Sequence, residues 1–270
     1  MVAAMMFSLT QFNGRPATVE DLAPLAFAGH AHFTAFQVRD HAVRGLDLHL
    51  DRLRTASDTL FGRSLPDERI TAYLRAALET AGPDCSLTCY LTTRPGEFAL
   101  AGDAAVLDVL VRATDPVRAP VGPVALDLVR HERHLPGVKH VGEVAKTRFM
   151  RRAHANGFDD AAFEDRTGRL SEATIWNLAF WDGESVIWPD ADRLPGVTMR
   201  ILSRRLRARG VPQRTRAVRR ADLDGLAAVV MNSWSPGVPV SRIGDRRLVD
   251  DPAFVTLLGD AYADEPPTRP

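Results

Sequence analysis

Lys139 and Lys146 are the only lysines in a chain of 270 residues. Lys139 lies in the run His134-Leu135-Pro136-Gly137-Val138-Lys139-His140. An amine that attacks a carbonyl must first lose its proton, so it needs burial or nearby cations that disfavour the charged form. Apolar neighbours and a helix that follows suit Lys139 for that role. Lys146 competes, but it falls inside the predicted helix, where an exposed charge is the ordinary explanation. Downstream come an acid, Glu172, in Leu170-Ser171-Glu172, and then Asn177. Further on stand Pro195-Gly196-Val197-Thr198 and Met231-Asn232-Ser233-Trp234. Gly-Val-Thr opening a helix presents backbone N–H groups and a hydroxyl to an anion.

These groups need elements to hold them. Phe7–Phe12 reads as a strand running into an Asn13-Gly14 hairpin turn, with Ala17-Thr18-Val19 opposite. Asp47–Phe61 carries Leu50, Leu53, Ala56 and Leu60 on one helical face, and Asp67–Ala81 repeats the pattern up to Gly82. Strand-like runs follow at Ser86–Thr92, Ala105–Val111 and Val124–Val129. The stretch Thr114–Pro123 holds three prolines, Pro116, Pro120 and Pro123, and cannot continue a helix or a central strand. We expect an N-terminal lobe over 1–115, a linker over 116–123 and a C-terminal lobe over 124–270 carrying Lys139. Gly142–Asn156 is a predicted helix with Gly157 as its left-handed stop. Asp160–Glu164, Asn177–Asp182, Ser185–Trp188 and Ala227–Met231 are predicted strands, Asp165–Gly168 a turn, Thr198–Arg209 a helix, and Asp251-Pro252 a helix start. The lobes mix strands and helices without strict alternation, so the expected class is α+β.

An amine, an acid and anion-cradling turns in this order are the parts that hold pyridoxal 5'-phosphate. In this the chain resembles the class IV aminotransferases, the fold-type IV pyridoxal phosphate enzymes. Branched-chain aminotransferase, D-amino acid transaminase and aminodeoxychorismate lyase belong to that family. The resemblance implies a two-lobed fold like that of D-amino acid aminotransferase, with the cofactor between the lobes. Lys139 would form the Schiff base and Glu172 would pair with the pyridine nitrogen, with Glu172 and Asn177 matching the family's E-x4-N. Arg52, in His49-Leu50-Asp51-Arg52-Leu53, is similar to the family's His-x-x-Arg-Leu, whose arginine holds the phosphate. Val197 and Thr198 match its Gly-Ile-Thr turn, and Asn232-Ser233 stands where the transaminases carry Gly-Thr.

That last departure, with Leu-Pro-Gly-Val-Lys-His and a weak Phe33-Thr34-Ala35 match, looks more like aminodeoxychorismate lyase than a transaminase. The resemblance runs from about Phe27 to Val240. The lyase releases pyruvate and leaves 4-aminobenzoate, a folate precursor; the alternative is transamination of a branched-chain or D-amino acid. A non-catalytic relative binding the cofactor or a small acid is a further reading, motivated by Trp234. Thr34, Arg130, Arg133 and His134 are candidates for meeting a small amino or carboxylate substrate, and the family implies a homodimer.

Composition narrows the partners. The 34 basic and 34 acidic residues balance, so there is no basic excess for nucleic acid or an anionic membrane. The apolar start lacks a basic leader, and no run approaches the roughly 20 apolar residues of a membrane span, so we expect a cytoplasmic protein. His30 and His32 lack a third ligand at metal-site spacing, so no metal is expected. Cys85 and Cys89 would share one face of a strand as reduced, buried thiols. Arg204, Arg205, Arg207 and Arg209 read as the wet face of their helix.

Overall fold

The structure, a computed structural model, describes residues 8–94 and 106–270. Phe7 and Ala105, expected as strand ends, lie outside the described residues. The chain divides into two compact units. One comprises residues 1–117, 138–142 and 266–270, the other 118–137 and 143–265. The cut after Val117 falls inside the proline-rich stretch, but the division is not the single cut expected from the sequence. Val138–Gly142, which carries Lys139, belongs to the first unit. The reason is backbone pairing: Phe33 N–H donates to the Lys139 carbonyl (2.8 Å) and Val141 N–H to the Ala31 carbonyl (3.0 Å).

In the first unit, β1 (Ser8–Phe12) and β2 (Ala31–Val38) precede α1 (Leu46–Phe61) and α2 (Asp67–Ala81). Then come β3 (Cys85–Arg94) and β4 (Val106–Thr114). The antiparallel sheet runs β1-β4-β3-β2, with Arg15–Pro16 added outside β1. Asn13 and Gly14 both adopt positive φ (49° and 83°), so the tight turn sets Arg15 directly opposite Phe12. Of the expected partner Ala17–Val19, Ala17 does meet β1, its N–H donating to the Thr10 carbonyl (3.1 Å), but the paired strand is Arg15–Pro16. Leu50, Leu53, Ile70 and Leu74 from the helices pack on Cys85, Leu87, Cys89 and Leu91. Both thiols are buried on that face, as expected. Burial pushes Cys85 up to about 11 and Cys89 up to about 12, so neither is a thiolate at neutral pH.

The second unit runs β5 (Val124–Arg130), α3 (Val144–Ala155), β6 (Asp160–Glu164), β7 (Leu170–Ala173) and β8 (Asn177–Trp181). It continues with β9 (Val186–Pro189), α4 (Val197–Ala208), β10 (Gln213–Arg216), β11 (Ala227–Asn232), β12 (Ser235–Ile243) and α5 (Pro252–Ala263). Strand pairing goes β8-β11-β12-β5-β6-β7 and returns to β8, so the sheet closes on itself. Closure leaves no open edge along that circuit. Strands β9 and β10 extend it outward from β8. Leu126, Leu170, Leu178, Val230 and Ile243 fill one core. Met231, Leu202, Leu206, Phe254 and Leu258 fill another, under α4 and α5.

The arginines of α4 correct an expectation. Arg204 and Arg205 both pair with the Glu265 carboxylate, which is buried, and Arg209 pairs with Asp264. A buried carboxylate needs cations, and α4 supplies them, so this face is not simply solvated. Among the described residues, no helix is long and apolar enough to cross a membrane.

Candidate active site

Glu172 on β7 and Asn177 on β8 are direct cross-strand partners at the point where the second unit's sheet closes. The E-x4-N spacing is thus the spacing of a hairpin. Both side chains are buried, and both hold the same backbone unit. Glu172 Oε2 accepts the Leu194 N–H (3.3 Å), and Asn177 Nδ2 donates to the Leu194 carbonyl (2.8 Å). This pins the loop that leads into α4.

Two residues on, a Cβ at Gly196 would lie 1.8 Å from Asn177 Oδ1. The backbone there, at φ −58° and ψ 139°, is open to any L-residue. Glycine is required by close approach alone. The first bond of α4 runs from Arg200 N–H to the Gly196 carbonyl (2.9 Å). The amides of Val197, Thr198 and Met199 precede it and sit at the positive end of the helix dipole. Thr198 Oγ1 donates to the Asn232 carbonyl (2.8 Å), tying the helix start to the end of β11. Asn232 Oδ1 accepts the Trp234 N–H (2.8 Å) and so shapes the Ser233-Trp234 turn into β12. The Trp234 ring stands edge-on to Trp176 at 5.7 Å.

The remaining charges gather on Glu172. Arg133 Nη1 donates to Glu172 Oε1 (3.2 Å) and to the Pro136 carbonyl (3.2 Å), while its Nε lies 3.2 Å from Glu143 Oε1. All three side chains are at most 9% exposed. Arg133, expected at a substrate carboxylate, is thus placed on two carboxylates of the protein, because a buried guanidinium needs anions. Lys146, in the first turn of α3, belongs to the same cluster. Burial lowers its pKa, the Glu143 charge raises it, Arg133 lowers it and Glu172 raises it. Arg193 is similarly pushed down by burial and up by Glu172 and Asp190. Arg130 donates to the Arg166 carbonyl (2.9 Å), and His134 is exposed in the turn before Gly137.

In the first unit, the Lys139 ammonium sits 5.0 Å from the Phe33 ring centroid, and Phe33 lies 5.3 Å from Tyr90. Thr34 points the other way. Its hydroxyl bonds His49 Nδ1 (2.6 Å) in the packing between β2 and α1. It is fully buried, away from the face that carries Lys139. Arg52 follows His49 by one turn on α1.

The donor set fits the cofactor suggested by the sequence. A buried carboxylate suits a protonated ring nitrogen. Helix-start amides beside a glycine that leaves no room for a Cβ suit a phosphate. The sequence reading did not single out Glu143, Arg193 or Leu194. Only Arg193 and Leu194 had a signal, their place just before Pro-Gly-Val-Thr.

Fold and donor set together define a pyridoxal phosphate enzyme. The sequence profile of the class IV aminotransferases matches residues 31–243, and the chain belongs to that family. Its cofactor is therefore pyridoxal 5'-phosphate. Among solved structures, the branched-chain aminotransferase of Thermoproteus uzoniensis superposes with a TM-score of 0.80 at 17% identity, covering 94% of each chain. A putative 4-amino-4-deoxychorismate lyase from Legionella pneumophila gives 0.77 at 19% identity, covering 88% of this chain and 92% of that one. A hypothetical aminotransferase from Mycobacterium tuberculosis, in its form with pyridoxal phosphate bound, gives 0.75 at 22% identity, covering 96% and 100%. No curated protein matches the sequence significantly.

Proposed function

We propose that the chain is a 4-amino-4-deoxychorismate lyase, releasing pyruvate and leaving 4-aminobenzoate. The observation that carries this reading is the Asn232 turn. Asparagine replaces the transaminases' glycine, bonds the Trp234 amide and presents its carbonyl to Thr198. The Lys139-His140 pair supports the same choice. When bound, the cofactor supplies an aldehyde that links to amines and a ring that accepts an electron pair.

The chain's own residues do the rest. Lys139 Nζ would be the attachment point for that aldehyde, and as a free amine it would move the proton at the carbon bearing the substrate's amine. Glu172 would keep the ring nitrogen protonated. Arg52, the Val197 and Thr198 amides, Asn232 and Ser233 hold the phosphate, and Asn177 holds their loop. The overall conversion needs no oxidant: the ring gives up a proton, the carbon–oxygen bond to the enolpyruvyl group breaks, and the ring becomes aromatic.

A branched-chain transaminase is the competing reading, since such an enzyme stands among the structural neighbours. We further propose a cytoplasmic homodimer acting in folate synthesis, as the family resemblance implies. The test is incubation with aminodeoxychorismate. Pyruvate and 4-aminobenzoate are expected in equal amounts; a keto acid formed from an amino acid, with no pyruvate, overturns the lyase reading. Lys139→Ala is expected to abolish the visible absorption of the bound cofactor, whereas Lys146→Ala keeps it. The reverse result would reassign the lysine.

A further inference from the structure

Glu172 is not alone in its pocket of charge. One of its oxygens accepts from Arg133, and the same guanidinium reaches Glu143. Removing one partner from a buried ion pair leaves an uncompensated charge, so such arrangements are costly unless each charge is matched. The arrangement here is a chain of three, acid–base–acid. Its two carboxylates share one guanidinium, and the cations Lys146 and Arg193 act on the same Glu172 carboxylate. Were Glu143 absent, the whole Arg133 charge would bear on Glu172 and weaken its hold on a ring proton.

We propose that Arg133 is a positioning residue that fixes and ionises the Glu172 carboxylate, and that Glu143 restores the negative charge Arg133 would otherwise cancel. The proposal rests on the reading of Glu172 as the partner of the ring nitrogen. It explains why Arg133 is at most 9% exposed, as a ligand for incoming substrate need not be. It also gives Glu143, which lies just before α3 and outside every motif of the sequence, a function. The other titratable groups of the second unit beside this chain include Lys146 from α3, Arg193 and Asp190 from the segment before α4, and His131 and Glu132 from the segment after β5. Burial holds His131 below its ordinary range, so it adds no charge at neutral pH.

The test is the pH titration of the visible band of the holoenzyme, measured with cofactor affinity and with the thermal midpoint of the cofactor-free protein. The band's midpoint reports how readily the bound cofactor keeps its proton. Arg133→Met removes a cation and is expected to raise the midpoint, and Glu143→Gln removes an anion and is expected to lower it, each by about one pH unit. Arg133→Lys keeps the charge but loses the fork. It is expected to restore the wild-type midpoint while binding cofactor roughly tenfold more weakly.

Loosening of the fold alone would not move the two midpoints in opposite directions. Shifts of the same sign, or none, in folded variants overturn the proposal. If Arg133→Met does not fold, Glu143→Gln and Lys146→Met decide, with expected shifts down and up respectively; unchanged midpoints overturn it. A wild-type protein that forms no visible band with added pyridoxal phosphate refutes the functional reading itself. A normal band without opposed shifts refutes only the role of Arg133.

Discussion

The two units bury polar groups in different ways. Between β2 and α1 of the first unit the buried polar pairs are neutral: His32 with Ser57 (2.8 Å) and Thr34 with His49 (2.6 Å). In the second, the buried groups around Glu172 are charged and linked through Arg133 to Glu143. Neutral pairs make a packing layer specific at modest cost. A buried charged cluster is a poor source of stability, and perturbed ionisable groups collect where chemistry is done. On this contrast we propose a functional role for the cluster around Glu172 and a packing role for the pairs between β2 and α1.

The sharpest break in this contrast is Glu172→Gln. It strands one side of Arg133 and is expected to destabilise the protein by about 3 kcal/mol, with loss of the visible band on adding cofactor. Denaturant unfolding and absorption spectra check both. Retention of stability and band together would remove the functional reading of the cluster.

Gly196→Ala comes next. Its Cβ meets Asn177 Oδ1, so the helix start must shift, and a displacement near 1 Å is expected to lower kcat/KM by roughly 100-fold. Adding Asn177→Ala makes room for that methyl, so the double variant should lose less than the product of the two single losses.

The first unit has its own signature in pH. Burial, and after it the His30 charge, holds His32 at about 3. This is a base whose folded pKa is depressed, so the unfolded chain binds the extra proton first as pH falls. Stability is therefore complete above about 6.5 and declines as pH drops toward 3. His32→Asn should flatten that decline in urea titrations across pH 4 to 7; an unchanged slope assigns it elsewhere. The smallest effect is expected for Thr34→Val, which leaves His49 Nδ1 without its partner. A loss of about 1–2 kcal/mol with KM unchanged would mark Thr34 as packing, whereas a raised KM at constant stability would restore its place beside substrate.

The helices and the hairpin were legible because their signals are local. Leucine spacing fixed α1 and α2, Gly157 takes the left-handed φ of 77° expected of a helix stop, and Asp251 caps α5 by accepting the Phe254 N–H (3.0 Å). Strand β12 was not legible. Its Ser235-Pro236-Gly237-Val238-Pro239 run reads as a breaker, yet it pairs with β11 across a register shift. Pro236 falls where that ladder is irregular, and Pro239 stands opposite Val229 in its regular part.

The amino-acid sequence by itself determined the order of the chemistry-bearing groups, because a lysine, an acid and two turns can be placed along a chain without knowing what they touch. Long-range approach belonged to the tertiary structure alone. Strand closure set Glu172 opposite Asn177, while the loop into α4 brought Gly196 against Asn177, Arg133 met two acids instead of one, and backbone pairing drew the Lys139 segment onto β2. Apart from the Glu172–Asn177 hairpin, those contacts join separate elements of the chain, and no local propensity encodes their distances.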